Sequence, residues 1–123
     1  YCFTPVEGYL AMGSYTGNGS NDGTFVFTGM RIKWLMIKEI STGSTAIDPG
    51  HWMIVDTERD TYNIVNRRLH AELTNSEYTN VTPLDILSNG FKYRQYTALG
   101  NKSGVNYMYL AFAEHPFKTA RAR

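Results

Sequence analysis

The chain has 123 residues, enough for one hydrophobic core and too few for two independent domains. Its formal net charge of +1 supplies no strong attraction to a phosphate backbone, so nucleic acid is not expected as a partner. Cys2 is its one cysteine, which excludes an internal disulfide, a cysteine-bound zinc site and a Cys-x-x-Cys redox pair.

Aromatic residues make up 14% of the chain and fall in short β-like runs broken by Gly, Asn, Asp and Ser, a pattern that predicts an all-β domain. In chain order the expected strands are YCFTPV, GYLAMGSYT, TFVFTG, RIKWLMIKEI, HWMIVDT, LDILS, GFKYRQYTA and NYMYLAFAEH. Turn signals separate them at NGSNDG, STGST, DPG, SNG and GNKSG. About eight antiparallel strands at this spacing predict one β-sandwich or jelly roll over residues 1–123. Asn89-Gly90 predicts a tight hairpin, because both residues accept positive φ. In the last strand Met108, Leu110 and Phe112 alternate with Tyr107, Tyr109, Ala111 and Ala113, which predicts a central strand covered on both faces. In RIKWLMIK, alternation puts Ile32, Trp34 and Met36 on one face. TYNIVNRRLHAEL lacks a full helical stripe and is read as a strand and a long loop. No apolar run approaches membrane-span length, and no membrane insertion is expected. The opening on Tyr1 within β-like residues leads us to expect a missing upstream region, with residues 1–14 as a lead-in from it.

The glycine-rich run YTGNGSNDGTF resembles three kinds of ligand loop and fails the demand of each. A phosphate cradle needs a helix after it and a Lys followed by Ser or Thr; a β-like run follows instead. The dinucleotide fingerprint needs a different glycine spacing and a helix. Asn18, Ser20, Asp22 and Gly23 match the start of a calcium loop, but the twelfth position, which should be Glu, is Gly29. His51, His70 and His115 lie far apart, without the spacing of a metal pair, so no metal and no cofactor are expected. Cys2 has no local partner to activate it, and no G-x-S-x-G elbow is present. The DTERD cluster offers Asp56, Glu58 and Asp60 as candidate glycosidase carboxylates, against the plainer expectation of a solvated, salt-bridged rim. Trp34 and Trp52 are expected in the core, with sugar stacking as the alternative. Tyr15, Tyr62, Tyr78, Tyr93 and Tyr96, beside turns, are read as surface residues. N-x-[ST] triplets occur at Asn18, Asn80 and Asn101.

The runs GSYTGNGSNDGTFVFTGMRIKWLMIK, RDTYN, LDILSNGFK and YMYLAFAEHPFKTARAR, in this order, resemble a family of uncharacterised domains near the C-terminus of tail-fibre-like and other virion proteins of tailed bacteriophages, many of them from marine bacteria and cyanobacteria. In that family a lectin-like or laminin-G-like sandwich often precedes the domain. The resemblance covers nearly the whole chain and implies a virion structural protein with no catalytic residues. It further implies location on the particle surface, contact with other virion proteins, a homo-oligomer (a trimer), and loops that meet a host-surface glycan or protein. The expected contact residues are Tyr15, Asn18, Asn21 and Asp22, joined by Trp52, Tyr62 and Tyr78. The alternatives are a capsid or tail decoration domain that never meets the host, and a glycan-degrading enzyme built on DTERD.

Overall fold

The structure, a computed structural model, describes residues 2–40, 51–74, 76–77, 79, 84–97 and 99–115. Its strands are β1 (Leu10–Thr16), β2 (Phe25–Phe27), β3 (Ile32–Glu39), β4 (Trp52–Asp56), β5 (Leu69–His70), β6 (Leu84–Leu87), β7 (Gly90–Tyr93) and β8 (Asn106–Ala113). They form a five-stranded antiparallel sheet of order β1-β8-β3-β4-β5 and a three-stranded one of order β2-β7-β6. The chain is therefore an all-β sandwich, as its composition predicts.

The two sheets meet through alternate residues. Leu35 and Ile37 of β3, Met53 and Val55 of β4, and Tyr107 and Ala111 of β8 face Val26, Leu84, Ile86, Phe91 and Tyr93 of the smaller sheet. Each fully buried large side chain of this set stabilises the fold by roughly 1.5–3 kcal/mol through removal of apolar surface from water. Tyr15 stacks on Tyr107 with ring centroids 5.3 Å apart, and Phe91 meets both Tyr15 and Tyr109 edge-on at 5.7 Å. This aromatic cluster ties the two sheets together where β1 and β8 run side by side.

Four expectations are corrected. The YCFTPV run forms no strand over its described residues; Val6 makes only an isolated bridge to Leu10. Strict alternation fails in β3, because the register against β8 shifts between Ile32 and Trp34. That irregularity turns Ile32 into the core with Leu35 and Ile37, while Trp34 and Met36 go to the opposite face. The β6–β7 hairpin pairs Leu87 with Gly90, so Ser88-Asn89 makes the turn and not Asn89-Gly90. Gly90 is required for a different reason: a Cβ there would stand 2.0 Å from the Val26 carbonyl of neighbouring β2. Finally, β8 does lie between two strands, but its outer face is open, with Met108 39% exposed.

Candidate functional site

The register sorts the loops into two ends. Thr16 pairs with Asn106, Glu39 with Tyr107 and Lys38 with Trp52, so the end of β1, the start of β8, the end of β3 and the start of β4 share one end of the larger sheet. The glycine-rich loop leaves β1 there, beside the loop that leads into β8.

That glycine-rich loop is an internally bonded turn. Asn18 Oδ1 accepts from the Ser20 N–H at 3.0 Å, and Ser20 Oγ accepts from the Asp22 N–H at 3.1 Å. Asn18 Oδ1 and Ser20 Oγ are thus turned onto the loop's own backbone, and Asp22 pairs with Lys92 Nζ at 2.6 Å. The Lys92 hydrogen bond and charge hold the Asp22 carboxyl below the usual carboxylate range. Asn101, fully buried, pins the loop from below. Its Oδ1 accepts from Asn18 N–H at 3.1 Å, and its Nδ2 donates to the carbonyls of Ser20 at 2.9 Å and Gln95 at 3.3 Å. Gly17 is required because the Lys102 carbonyl would lie 2.3 Å from any Cβ, and Gly19 because its φ is +67°. Asn101 is also closed to glycosylation in the folded chain, since its amide is enclosed.

The other expected contact residues scatter. Tyr15 is not a surface residue: its ring packs against the core and its hydroxyl donates to the Gly100 carbonyl at 2.8 Å. Burial first, then the neighbouring Tyr93, pushes its pKa well above the ordinary tyrosine value. Tyr93 is likewise wholly buried, because it pairs with Leu84 on the inward row of β7, whereas Tyr96 is exposed. Asn18, Asn21 and Asp22 are exposed on the loop. Trp52 belongs to the open outer face of the larger sheet, with Lys38 Nζ 4.4 Å from its ring centroid. Tyr62, 85% exposed, lies in the loop that leaves the far end of β4, away from the glycine-rich loop. Tyr78 and Asn80 lie outside the described residues.

The DTERD carboxylates are engaged as a rim. Asp56 accepts from the backbone N–H of Arg59 at 2.9 Å and from its Nε at 2.7 Å. Asp60 Oδ2 accepts from the backbone N–H groups of Asn66 and Arg67 at 2.7 and 2.8 Å, and Glu58 pairs with Lys33 at 3.1 Å.

Two features escaped the sequence reading. One is the outer face of the larger sheet, where Phe3, Met12, Met36, Trp52, Met108 and Leu110 line an apolar groove of about 430 Å³. The other is a cluster of His51, His70 and Glu72. Pairing of β4 with β5 sets His70 beside Met53, while His51 stands just before β4 and Glu72 in the turn just after β5, exposed at the rim. The His51 ring Nδ1 contacts Glu72 Oε1, and the His51 and His70 rings lie 5.2 Å apart. Glu72 also accepts from the Trp52 N–H at 3.2 Å. Burial opposes its ionisation, yet its own backbone N–H, His51 and Trp52 prevail and lower its pKa. Burial, then the Arg68 charge, lowers that of His70. The signal for this cluster was His70-x-Glu72, two possible ligands close together in sequence, with Glu72 in the turn that follows β5.

Over residues 1–116 the chain matches the family described as a domain of unknown function, DUF7483. The chain belongs to that family. No curated protein and no solved structure matches it. The DUF7483 domain thus carries two surfaces of distinct character, an apolar sheet face and a polar loop end.

Proposed function

We propose that this DUF7483 domain is a structural attachment module and not an enzyme: a virion appendage domain that packs through its apolar sheet face and displays its loop end to a host-surface glycan or protein. The observation that carries this reading is the pairing of those two surfaces. An open groove of Met, Trp and Leu side chains is the character of a surface that docks on protein. A loop braced from beneath by Asn101 and within by the Asn18 side chain leaves Asn21 and Asp22 exposed, and such bracing lowers the ordering cost of recognition. The virion context rests on the sequence resemblance. Weak loop contacts multiplied over several copies, three in a trimer, supply the avidity.

The test is a glycan array and a host-cell pull-down with the 123-residue chain. Binding that falls on Asn21→Ala with Asp22→Ala supports attachment, whereas silence on both sinks it. A second reading, a decoration domain that packs on other virion proteins and meets no host, is favoured by the apolar groove taken alone. Density flush against capsid or tail proteins in a virion map would select it.

A further inference from the structure

We propose that His51, His70 and Glu72 form a binding site for one divalent transition-metal ion, with zinc the best match. The nitrogen and oxygen ligand atoms of the three residues all lie within 4.8 Å of one another. Around a tetrahedral zinc with bonds of about 2.0–2.2 Å, ligand atoms stand roughly 3.4 Å apart, so side-chain rotations alone close the difference. Two imidazole nitrogens and one carboxylate select zinc and its neighbours such as cobalt and nickel, and disfavour calcium and magnesium, which take oxygen ligands.

One ligand sits on paired strands and the other two flank them. The β4–β5 ladder holds His70 beside Met53, His51 and Glu72 stand next to its ends, and the Trp52 N–H donates to the Glu72 carboxylate, the kind of outer support that metal ligands use. His51 Nδ1 and Glu72 Oε1 are in direct contact, so these two ligand atoms already converge on one point. A separate observation favours a cation at this end of the sandwich. Glu39, at the end of β3, is more than nine-tenths buried, and neither of its carboxylate oxygens has a hydrogen-bond partner. The β3–β4 pairing ends at Lys38 and Trp52, so Glu39 and His51, the next residue on each side, lie at the same end of the larger sheet. A bound cation nearby would compensate this unpartnered buried carboxyl group. Three protein ligands leave one coordination position for water or for a group brought by a partner.

The experiment uses the untagged chain, stripped with EDTA and dialysed against zinc chloride, with bound metal measured by elemental analysis and stability by thermal unfolding. One zinc per chain is expected, with a rise in Tm of about 5 °C or more that magnesium and calcium do not reproduce. Glu72→Gln keeps the shape of the side chain and should weaken binding at least about tenfold; His70→Ala should abolish it; His115→Ala should change neither. Circular dichroism of the metal-free variants verifies that each is folded, and cobalt absorption bands of the parent chain report nitrogen and oxygen ligation independently. Absence of bound zinc in the parent chain, or full binding retained in both Glu72→Gln and His70→Ala, overturns the proposal.

Discussion

Replacing Asn101 by alanine tests whether the glycine-rich loop is held from below. The side chain makes three hydrogen bonds, to the Asn18 N–H and to the Ser20 and Gln95 carbonyls. At a net worth of about 1 kcal/mol each, their loss costs about 3 kcal/mol. Asn18, Ser20 and Gln95 are themselves exposed, so water replaces part of what is lost and the expected destabilisation is about 2–3 kcal/mol. Against a total stability of about 5–15 kcal/mol this is a large fraction. Urea unfolding followed by fluorescence should show the midpoint fall by roughly 1–2 M at unchanged slope. Hydrogen exchange gives the finer test. The Asn18 amide, bonded to the Asn101 side chain, should lose protection, while the Gly17 amide, bonded to the Val105 carbonyl at 2.9 Å, should keep it. A loss below about 0.5 kcal/mol, or equal deprotection of both amides, would refute the account of Asn101 as the pin.

Burial first raises the pKa of Tyr107, to about 12, and those of Tyr15 and Tyr93 move the same way. Because these groups hold their protons more tightly folded than unfolded, their contribution is complete below the ordinary tyrosine pKa near 10 and is lost as pH rises from there toward 12; the part of the tyrosinate absorbance that belongs to these three should therefore appear together with unfolding, and early reversible titration of all tyrosines would contradict it. Phe91→Ala removes a fully buried ring from between the sheets and should cost about 3–5 kcal/mol in the same urea assay; a loss under 1 kcal/mol would deny that ring its place in the core. Met108→Lys on the outer sheet face should leave monomer stability within about 0.5 kcal/mol while weakening any self-association seen by light scattering. Calcium should leave the amide shifts of residues 18–23 unmoved, since Asp22 is already paired with Lys92 and the position that should supply Glu is Gly29.

Much of the fold can be read along the chain. The alternation in LAMGSYT, WMIVD and NYMYLAFA, with glycine and asparagine between runs, is local chemistry, and local chemistry is what forms a strand. The glycine-rich loop could likewise be denied its three ligand readings from residues alone, because each ligand requires a neighbour in sequence that is missing. Which face of a strand looks inward is another matter. The shift between Ile32 and Trp34 exists only against β8, so alternation along β3 could not reveal that Ile32 joins Leu35 inside. Tyr15 sits next to a turn and still goes to the core, because Tyr107 and Phe91 arrive from distant segments, the first to stack on it and the second to meet it edge-on. The same holds for His51 and His70, far apart in sequence, which meet only because β4 and β5 pair in one register. Sequence by itself determines where this chain runs extended and where it bends. Tertiary structure decides which side chains converge, because pairing between strands joins residues that no local spacing connects.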